Sequence, residues 1–367
     1  MSDDIQHPDQ IEGAPHPRET LRLIGQDAAE AAFLEAYTDG RLHHAWLLTG
    51  PRGVGKATFA WRAARFLLAH DERADAPTSL DIAPDHPVAR RLLARSEPQL
   101  YHITRTINEQ TKRMRDMIVA ENVRSLHGFL SLSSTDGGRR AVIIDSADEM
   151  NVQAANALLK MLEEPPARTT LFLISHQPSG LLPTIRSRCR ELRLPPLDAG
   201  DMAAALTQAG IEQGGGTQAL AALSGGSVGE AVRLINLSGL KLYAELVQLF
   251  SDLPSIDRPR ALALANTAAQ RGAEDRLNLL IWLIELLLGR MARTGATGAA
   301  PSPEGAPGEA QMLARAAPDL DAARRWAVCA QDVGARMRHG RAVNLDPAAL
   351  VLDTVFRIQK TAAHQPA

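Results

Sequence analysis

The sequence predicts an α/β protein in which a domain built on a parallel sheet is followed by a small helical domain and an all-α C-terminal domain. Three observations predict it. Ala141-Val-Ile-Ile144 is a short apolar run closed by Asp145, the pattern of a strand buried on both faces that hands over to a loop. Trp46-Leu-Leu-Thr49 is a second such run, and it leads directly into Gly50-Pro-Arg-Gly-Val-Gly-Lys56. Beyond Asp198 the strand-like runs give way to short helical patterns separated by glycines.

A chain of 367 residues, 45% of them hydrophobic, has the length for two or three domains with ordinary cores. Its 40 basic and 42 acidic residues leave a net charge of −2, which argues against a protein whose main affinity comes from wrapping nucleic acid. Cys189 and Cys329 lie far apart without Cys-x-x-Cys spacing, so neither a disulfide framework nor zinc is expected, and a reducing cytoplasm fits. Met1 to Glu19 is polar, does not read as a signal peptide, and is expected to be a mobile leader. Leu277 to Leu288 is apolar but interrupted by Asn278 and Glu285 and too short to cross a bilayer, so it reads as a core helix.

Leu23-Ile24-Gly25-Gln26 introduces an amphipathic helix with Ala31, Ala32, Leu34 and Tyr37 as candidate buried positions; one reading of the lead-in is a hydrophobic staple. Gly50 to Lys56 then follows the first strand with the spacing G-x-x-x-x-G-K. Glycines at 50, 53 and 55 permit turns that aim backbone N–H groups inward, while Lys56 and the N-terminus of the next helix face the same phosphates. Gly50, Pro51, Gly53, Val54, Gly55, Lys56, Ala57 and Thr58 are therefore candidate nucleotide-binding positions, alongside Asp145. A magnesium ion would need a hydroxyl at position 57. Ala57 has none, and Thr58 is one residue out of phase. Both a surviving phosphate cradle and a glycine turn kept for packing answer this pattern.

Asp71 to Glu97 is a charged insertion in which Asp85-His86-Pro87 reads as polar surface, and Arg90, Arg91, Arg95, Lys112, Arg113 and Arg115 read as a solvated face. Leu100 to Thr104 is a strand. Ile118 to Leu132 is a helix with Val119, Val123, Leu126 and Phe129 or Leu130 inward, leading through the turn Asp136-Gly137-Gly138 into the strand at 141–144. Asp145 ends that strand as a Walker-B-like aspartate, the residue that would hold the magnesium of a bound nucleotide. The next position would carry a glutamate to orient an attacking water, but Ser146 is too short and too weakly basic. Asn151 suits an N-cap for a helix with Ala154, Ala155, Leu158, Leu159 and Leu162 on one stripe, stopped by Pro165-Pro166. Thr170 to Ser175 and Glu191 to Leu194 complete the strands, and Cys189 reads as a small buried hydrophobe. Helices are then expected at Asp201–Gln208, Thr217–Leu223 and Ser227–Ile235, followed by a flexible Gly/Ala/Pro-rich loop from Thr294 to Gly308. Asn344-Leu-Asp-Pro347 caps a final helix containing Leu350, Leu352, Val355 and Phe356.

The run from Asn156 to Pro166, NALLKMLEEPP, together with Ser187-Arg188-Cys189, resembles the clamp-loader branch of the AAA+ family. The resemblance implies an AAA+ RecA-like domain over residues 1–197, a helical lid over 198–240 and a helical, oligomerising collar over 241–367. It implies that Ile24 and Gly25 line an adenine pocket, and that Arg188 is an arginine finger reaching the γ-phosphate on a neighbouring subunit, where a planar guanidinium matches phosphate oxygens. An intramolecular ion pair is the plain alternative for Arg188. In the resembling family His176 falls at a sensor position usually filled by Asn or Thr, and Gly229 falls where a second sensor arginine stands. With Ala57 and Ser146 these are four departures at four parts of one reaction. The expected protein is a hetero-oligomeric subunit that does not hydrolyse ATP. Whether it binds ATP is open, and magnesium would come only with nucleotide. The implied partners are motor subunits of the tau/gamma kind and a clamp-opening delta subunit, and indirectly the sliding clamp and primed DNA, with no membrane. The rivals are an active motor-type ATPase, a structural scaffold without nucleotide, and a repair or recombination protein of the same family.

Overall fold

The apolar runs pair into one sheet. The computed structural model describes residues 8–70, 77–108, 110–111, 114–131, 138–212, 216–270 and 272–363. The expected turn at Asp136-Gly137 and the basic positions Lys112 and Arg113 lie outside the described residues. The chain divides into two compact units, one running to Glu212 and including Gly226–Glu230, the other made of the remaining described residues.

In chain order the first unit holds α1 (Asp27–Thr38), β1 (Ala45–Thr49), α2 (Lys56–Ala69), α3 (Pro87–Leu93), β2 (Leu100–Ile103), α4 (Ala120–Ser131), β3 (Arg140–Asp145), α5 (Val152–Glu163), β4 (Thr169–Ser175), α6 (Pro183–Arg186), β5 (Arg190–Arg193) and α7 (Ala199–Gln208). The strands are all parallel, in the order β2-β3-β4-β1-β5. Alternation along each strand divides the core. Trp46, Leu48, Ala141, Ile143, Phe172 and Ile174 face α1 and α2, whereas Leu47, Val142, Ile144, Leu171 and Leu173 face α4 and α5. Asn151 caps α5 as its sequence predicts, accepting the N–H of Ala154 at 2.8 Å. His86 is likewise a cap, its ring nitrogen accepting the N–H of Val88 at the start of α3.

Two expectations about this unit are corrected. Ala31 is exposed, and the buried face of α1 is Ala29, Phe33 and Ala36. Phe33 sets that rotation because its ring packs within 5.1–5.8 Å of Trp46, Phe59 and Phe172, a larger apolar gain than a stripe of alanines offers. The leader expected to be mobile is, from residue 8 onward, a packed strap. His16 is buried, Asp9 pairs with it at 3.0 Å, and Arg65 of α2 donates to the Arg18 carbonyl at 2.6 Å. Residues 1–7 lie outside the described residues.

The helices that follow are α8 (Thr217–Ser224), α9 (Val228–Asn236), α10 (Gly239–Leu249), α11 (Arg258–Ala268), α12 (Glu274–Thr297), α13 (Glu309–Ala316), α14 (Leu320–Ala342) and α15 (Pro347–Ala362). α12 is the core helix expected from Leu277 to Leu288, and it buries Leu279, Leu280, Leu283, Ile284, Leu287 and Met291. No helix among the described residues is long and apolar enough to cross a membrane. The flexible loop expected over Thr294–Gly308 is also corrected. Its first turn belongs to α12, and Gly305 and Pro303 are tied down by a buried ion pair between Glu309 and Arg290. Within the Asn344–Pro347 stretch expected to cap the last helix, Asp346 is the cap of α15, and Phe356 is exposed while Leu350 and Val355 are buried.

Candidate functional site

The loop between β1 and α2 takes the shape its glycines predict. Gly50, Gly53 and Gly55 have φ of +139°, +76° and +100°, the left-handed region in which a side chain is strained. The loop ends on the N-terminus of α2, with Lys56 as its first residue and almost wholly buried. The Lys56 ammonium donates to the carbonyls of Gly50 (2.7 Å) and Pro51 (2.5 Å), so the loop satisfies its own cation. Val54 is buried and its carbonyl accepts from Gln26 Nε2 (3.2 Å), which also reaches the Pro195 carbonyl (2.8 Å) and ties the start of α1 to the loop. Ile24 is half-buried. Gly25 has a φ of +72°, where a side chain is strained, and a Cβ there would lie 2.7 Å from an Asp201 carboxylate oxygen.

Charged groups converge at the C-terminal ends of β3 and β4, the edge of a parallel sheet where ligands bind. Burial pulls the Lys56 ammonium down to about 8, opposed by the carboxylates of Asp145 and Asp148. Burial pushes Asp145 up to about 7, with Asp9 and Glu149 adding to the rise and Lys56 opposing it. His176 is brought into the same cluster. Burial, then the Lys56 charge, hold its ring down to about 4, so it is neutral near pH 7, and its backbone N–H donates to Asp148 at 3.1 Å. Sequence reasoning missed Asp148, which sits three residues after the Walker-B-like aspartate with nothing but that spacing to mark it.

Ala57 and Thr58 are both half-buried in the first turn of α2, and Ala57 packs against the core. The turn that should offer magnesium a hydroxyl offers a methyl instead. Ser146 is buried and supplies no carboxylate. The glycine spacing and Lys56 are of the type that holds nucleotide phosphates, whereas the residues at 57 and 146 do not fit the accompanying magnesium ion.

Gly229 closes the other side. Its N–H donates to the Gly53 carbonyl at 3.2 Å, and a Cβ on Gly53 would lie 2.9 Å from the Gly229 Cα and 2.4 Å from the Ser227 hydroxyl. A side chain at 229 would itself meet Ile11 Cδ1 at 2.6 Å and Gly53 Cα at 3.0 Å. The position that could hold a sensor arginine is packed backbone to backbone.

Arg188 lies apart from this cluster, just past α6. One guanidinium nitrogen pairs with Glu163 at 2.9 Å and the other donates to the Thr184 carbonyl at 3.0 Å. The arginine expected to point free of its own chain is therefore engaged within it, at the surface: the Arg188 and Glu163 side chains are 36% and 51% exposed. Cys189 beside it is half-buried, and burial pushes its thiol up to about 12, which excludes a reactive thiolate at neutral pH.

A family model described as DNA polymerase III, delta subunit, matches residues 25–198. A DNA polymerase III subunit delta' of Pseudomonas aeruginosa is 39% identical over 206 residues, 56% of this chain and 60% of that protein. The Escherichia coli subunit delta' is 29% identical over 262 residues, 71% of this chain and 73% of its own length. A subunit gamma/tau of Mycobacterium tuberculosis is 29% identical over 181 residues, 47% of this chain and 28% of that protein. The chain spans about three fifths of the Pseudomonas relative. A solved DNA polymerase III gamma subunit-related protein of Thermotoga maritima aligns over 90% of this chain and 99% of its own at 16% identity, with a TM-score of 0.36. A likeness of that size adds nothing to the assignment. The phosphate loop, the Walker-B-like strand and Ser187-Arg188-Cys189 all lie inside the matched segment, and over that segment the chain is similar to the DNA polymerase III delta' subunits.

Proposed function

We propose that this chain is a clamp-loader subunit that does not split ATP itself. It presents Arg188 to the triphosphate held by an adjacent gamma/tau-type subunit, works beside a delta subunit, and so supports loading of a sliding clamp onto primed DNA. The observation that carries this reading is the state of its own phosphate loop: Lys56 is satisfied by loop carbonyls in a site without a magnesium hydroxyl or a glutamate base. Such a site can hold phosphates but lacks the groups that polarise and attack them. The useful cation of the subunit is then at the surface. An exposed ion pair such as Arg188–Glu163 is worth about 0–1 kcal/mol, so a triphosphate could draw the guanidinium away. Placed against the equatorial oxygens of a transferring phosphoryl group, an arginine supplied in trans contributes on the order of 10³–10⁵ in rate.

The engagement of Arg188 by Glu163 favours a second reading, a scaffold that contributes no finger. One assay separates the two. Loaders reconstituted with Arg188→Ala protein should assemble as the parent does but hydrolyse ATP at least a hundredfold more slowly in the presence of clamp and primed DNA. Turnover equal to that of the parent would leave the scaffold as the function.

A further inference from the structure

The N-terminal strap reaches the phosphate loop, and nothing in the proposed function uses it. Asp9 and His16 form its latch. The His16 Nδ1 accepts the Arg18 N–H at 3.1 Å, which fixes the tautomer whose Nε2–H faces Asp9 at 3.0 Å. His102 of β2 brings a second ring nitrogen to within 3.6 Å of the same carboxylate oxygen. Further on, Arg62 and Arg65 of α2 hold the carbonyls of Leu21 and Arg18. Between the latch residues the chain turns, Ala14 N–H donating to the Ile11 carbonyl, and Ile11 projects toward the lid segment.

From this geometry we infer that Ile11 and Gly229 form a built-in cover on the phosphate loop, which a nucleotide must displace before it can bind. Ile11 Cδ1 lies against Gly229, and Gly229 lies against Gly53, so the strap, the Gly226–Glu230 segment and the loop stack with no side chain from either glycine between them. The bond from Gly229 N–H to the Gly53 carbonyl fastens the Gly226–Glu230 segment to the loop. Asp9 adds negative charge near Asp145, at the end of the sheet where a triphosphate would have to enter. Opening the cover therefore exchanges one set of loop contacts for another rather than filling free space. The inference rests on reading residues 50–56 as a phosphate loop.

Titration of the full-length chain with a fluorescent ATP analogue tests it. Ile11 is 39% exposed, so its seat buries the larger part of the side chain. Truncation to alanine should tighten binding by about five- to twentyfold, because the binding-competent fraction rises as the seat is lost. Adding Lys56→Ala should cancel that gain. Hydrogen exchange at the Gly53 and Gly55 amides should also quicken in Ile11→Ala without nucleotide. If Ile11→Ala fails to fold, Asp9→Ala, which releases the latch, is read in the same two ways. Affinity within twofold of the parent, including no binding by either protein, overturns the inference, and so does a gain that survives Lys56→Ala. The Arg188→Ala turnover assay reports on the neighbour's triphosphate and is independent of these outcomes.

Discussion

Replacing Glu309 by alanine should lower the stability of the C-terminal unit more than any surface change. Its carboxylate is almost wholly buried and accepts four hydrogen bonds: Arg290 Nε (2.6 Å) and Nη2 (3.1 Å), the Tyr243 hydroxyl (2.5 Å) and the Gly305 N–H (2.5 Å). Burial and the Glu309 charge both push the Tyr243 hydroxyl up, which keeps it a neutral donor. Removing one member of a buried ion pair costs about 3–5 kcal/mol, because the partner charge is left without compensation. Two further donors lose their acceptor at about 1–3 kcal/mol each, although relaxation and water entry recover part of that, so a net loss of about 4–6 kcal/mol follows. For a unit of this size that is on the order of a 10–20 °C fall in Tm. Calorimetry of the full chain would show the transition of the C-terminal unit moving down while that of the sheet unit stays in place. Glu309→Gln, which keeps an acceptor for Tyr243, should lose less. A loss under about 1 kcal/mol for the alanine variant would refute the claim that this carboxylate holds residues 298–308.

Asp145→Asn should alter the pH dependence of stability. The parent carboxyl has its ordinary value near 3.8 when unfolded and about 7 when folded, so between those values the folded chain holds the extra proton. Stability from this group is present below pH 3.8 and is lost as pH rises toward 7, at up to about 1.4 kcal/mol per pH unit. The variant should lack that decline, and denaturant melts at pH 5 and pH 7.5 compare it with the parent; equal differences in both proteins would count against a buried, protonated Asp145. Glu163→Ala should change the melting temperature by no more than about 2 °C, since the pair it breaks is exposed. A drop of 6 °C or more in a thermal melt would mean that Arg188 is locked in place rather than loosely held.

The sheet was legible because its residues carry their own instructions. β3 and β4 carry the apolar runs 141–144 and 171–174 bounded by polar residues, and Asn151 marks the start of α5 by a bond to a backbone three residues away. The phosphate loop was legible for the same reason, since three glycines and a lysine in fixed spacing describe a backbone shape. What escaped was long-range. The strap is polar in sequence, and it is ordered by Arg62 and Arg65, more than forty positions later, and by His102 on the edge strand. The rotation of α1 depends on an aromatic cluster assembled from three other elements. The ties on Gly305 and Pro303 come from Glu309 and Arg290, which flank the Gly/Ala/Pro-rich stretch and bear no sign of their pairing. Arg188 was found by its neighbours at 187 and 189, but its counter-ion at 163 lies at the end of α5.

The glycine-to-glycine contact between residues 53 and 229 has a consequence for how such a chain could change over time. An arginine at 229 would bring its first carbon to 2.6 Å from Ile11 Cδ1 and 3.0 Å from the Gly53 Cα, so the Ile11 side chain would have to swing aside and the loop backbone yield by a few tenths of an ångström. That change alone would leave position 57 without a hydroxyl and position 146 without a carboxylate. Packing and the missing groups thus coincide at this loop, and a change at one of these positions leaves the others as they are.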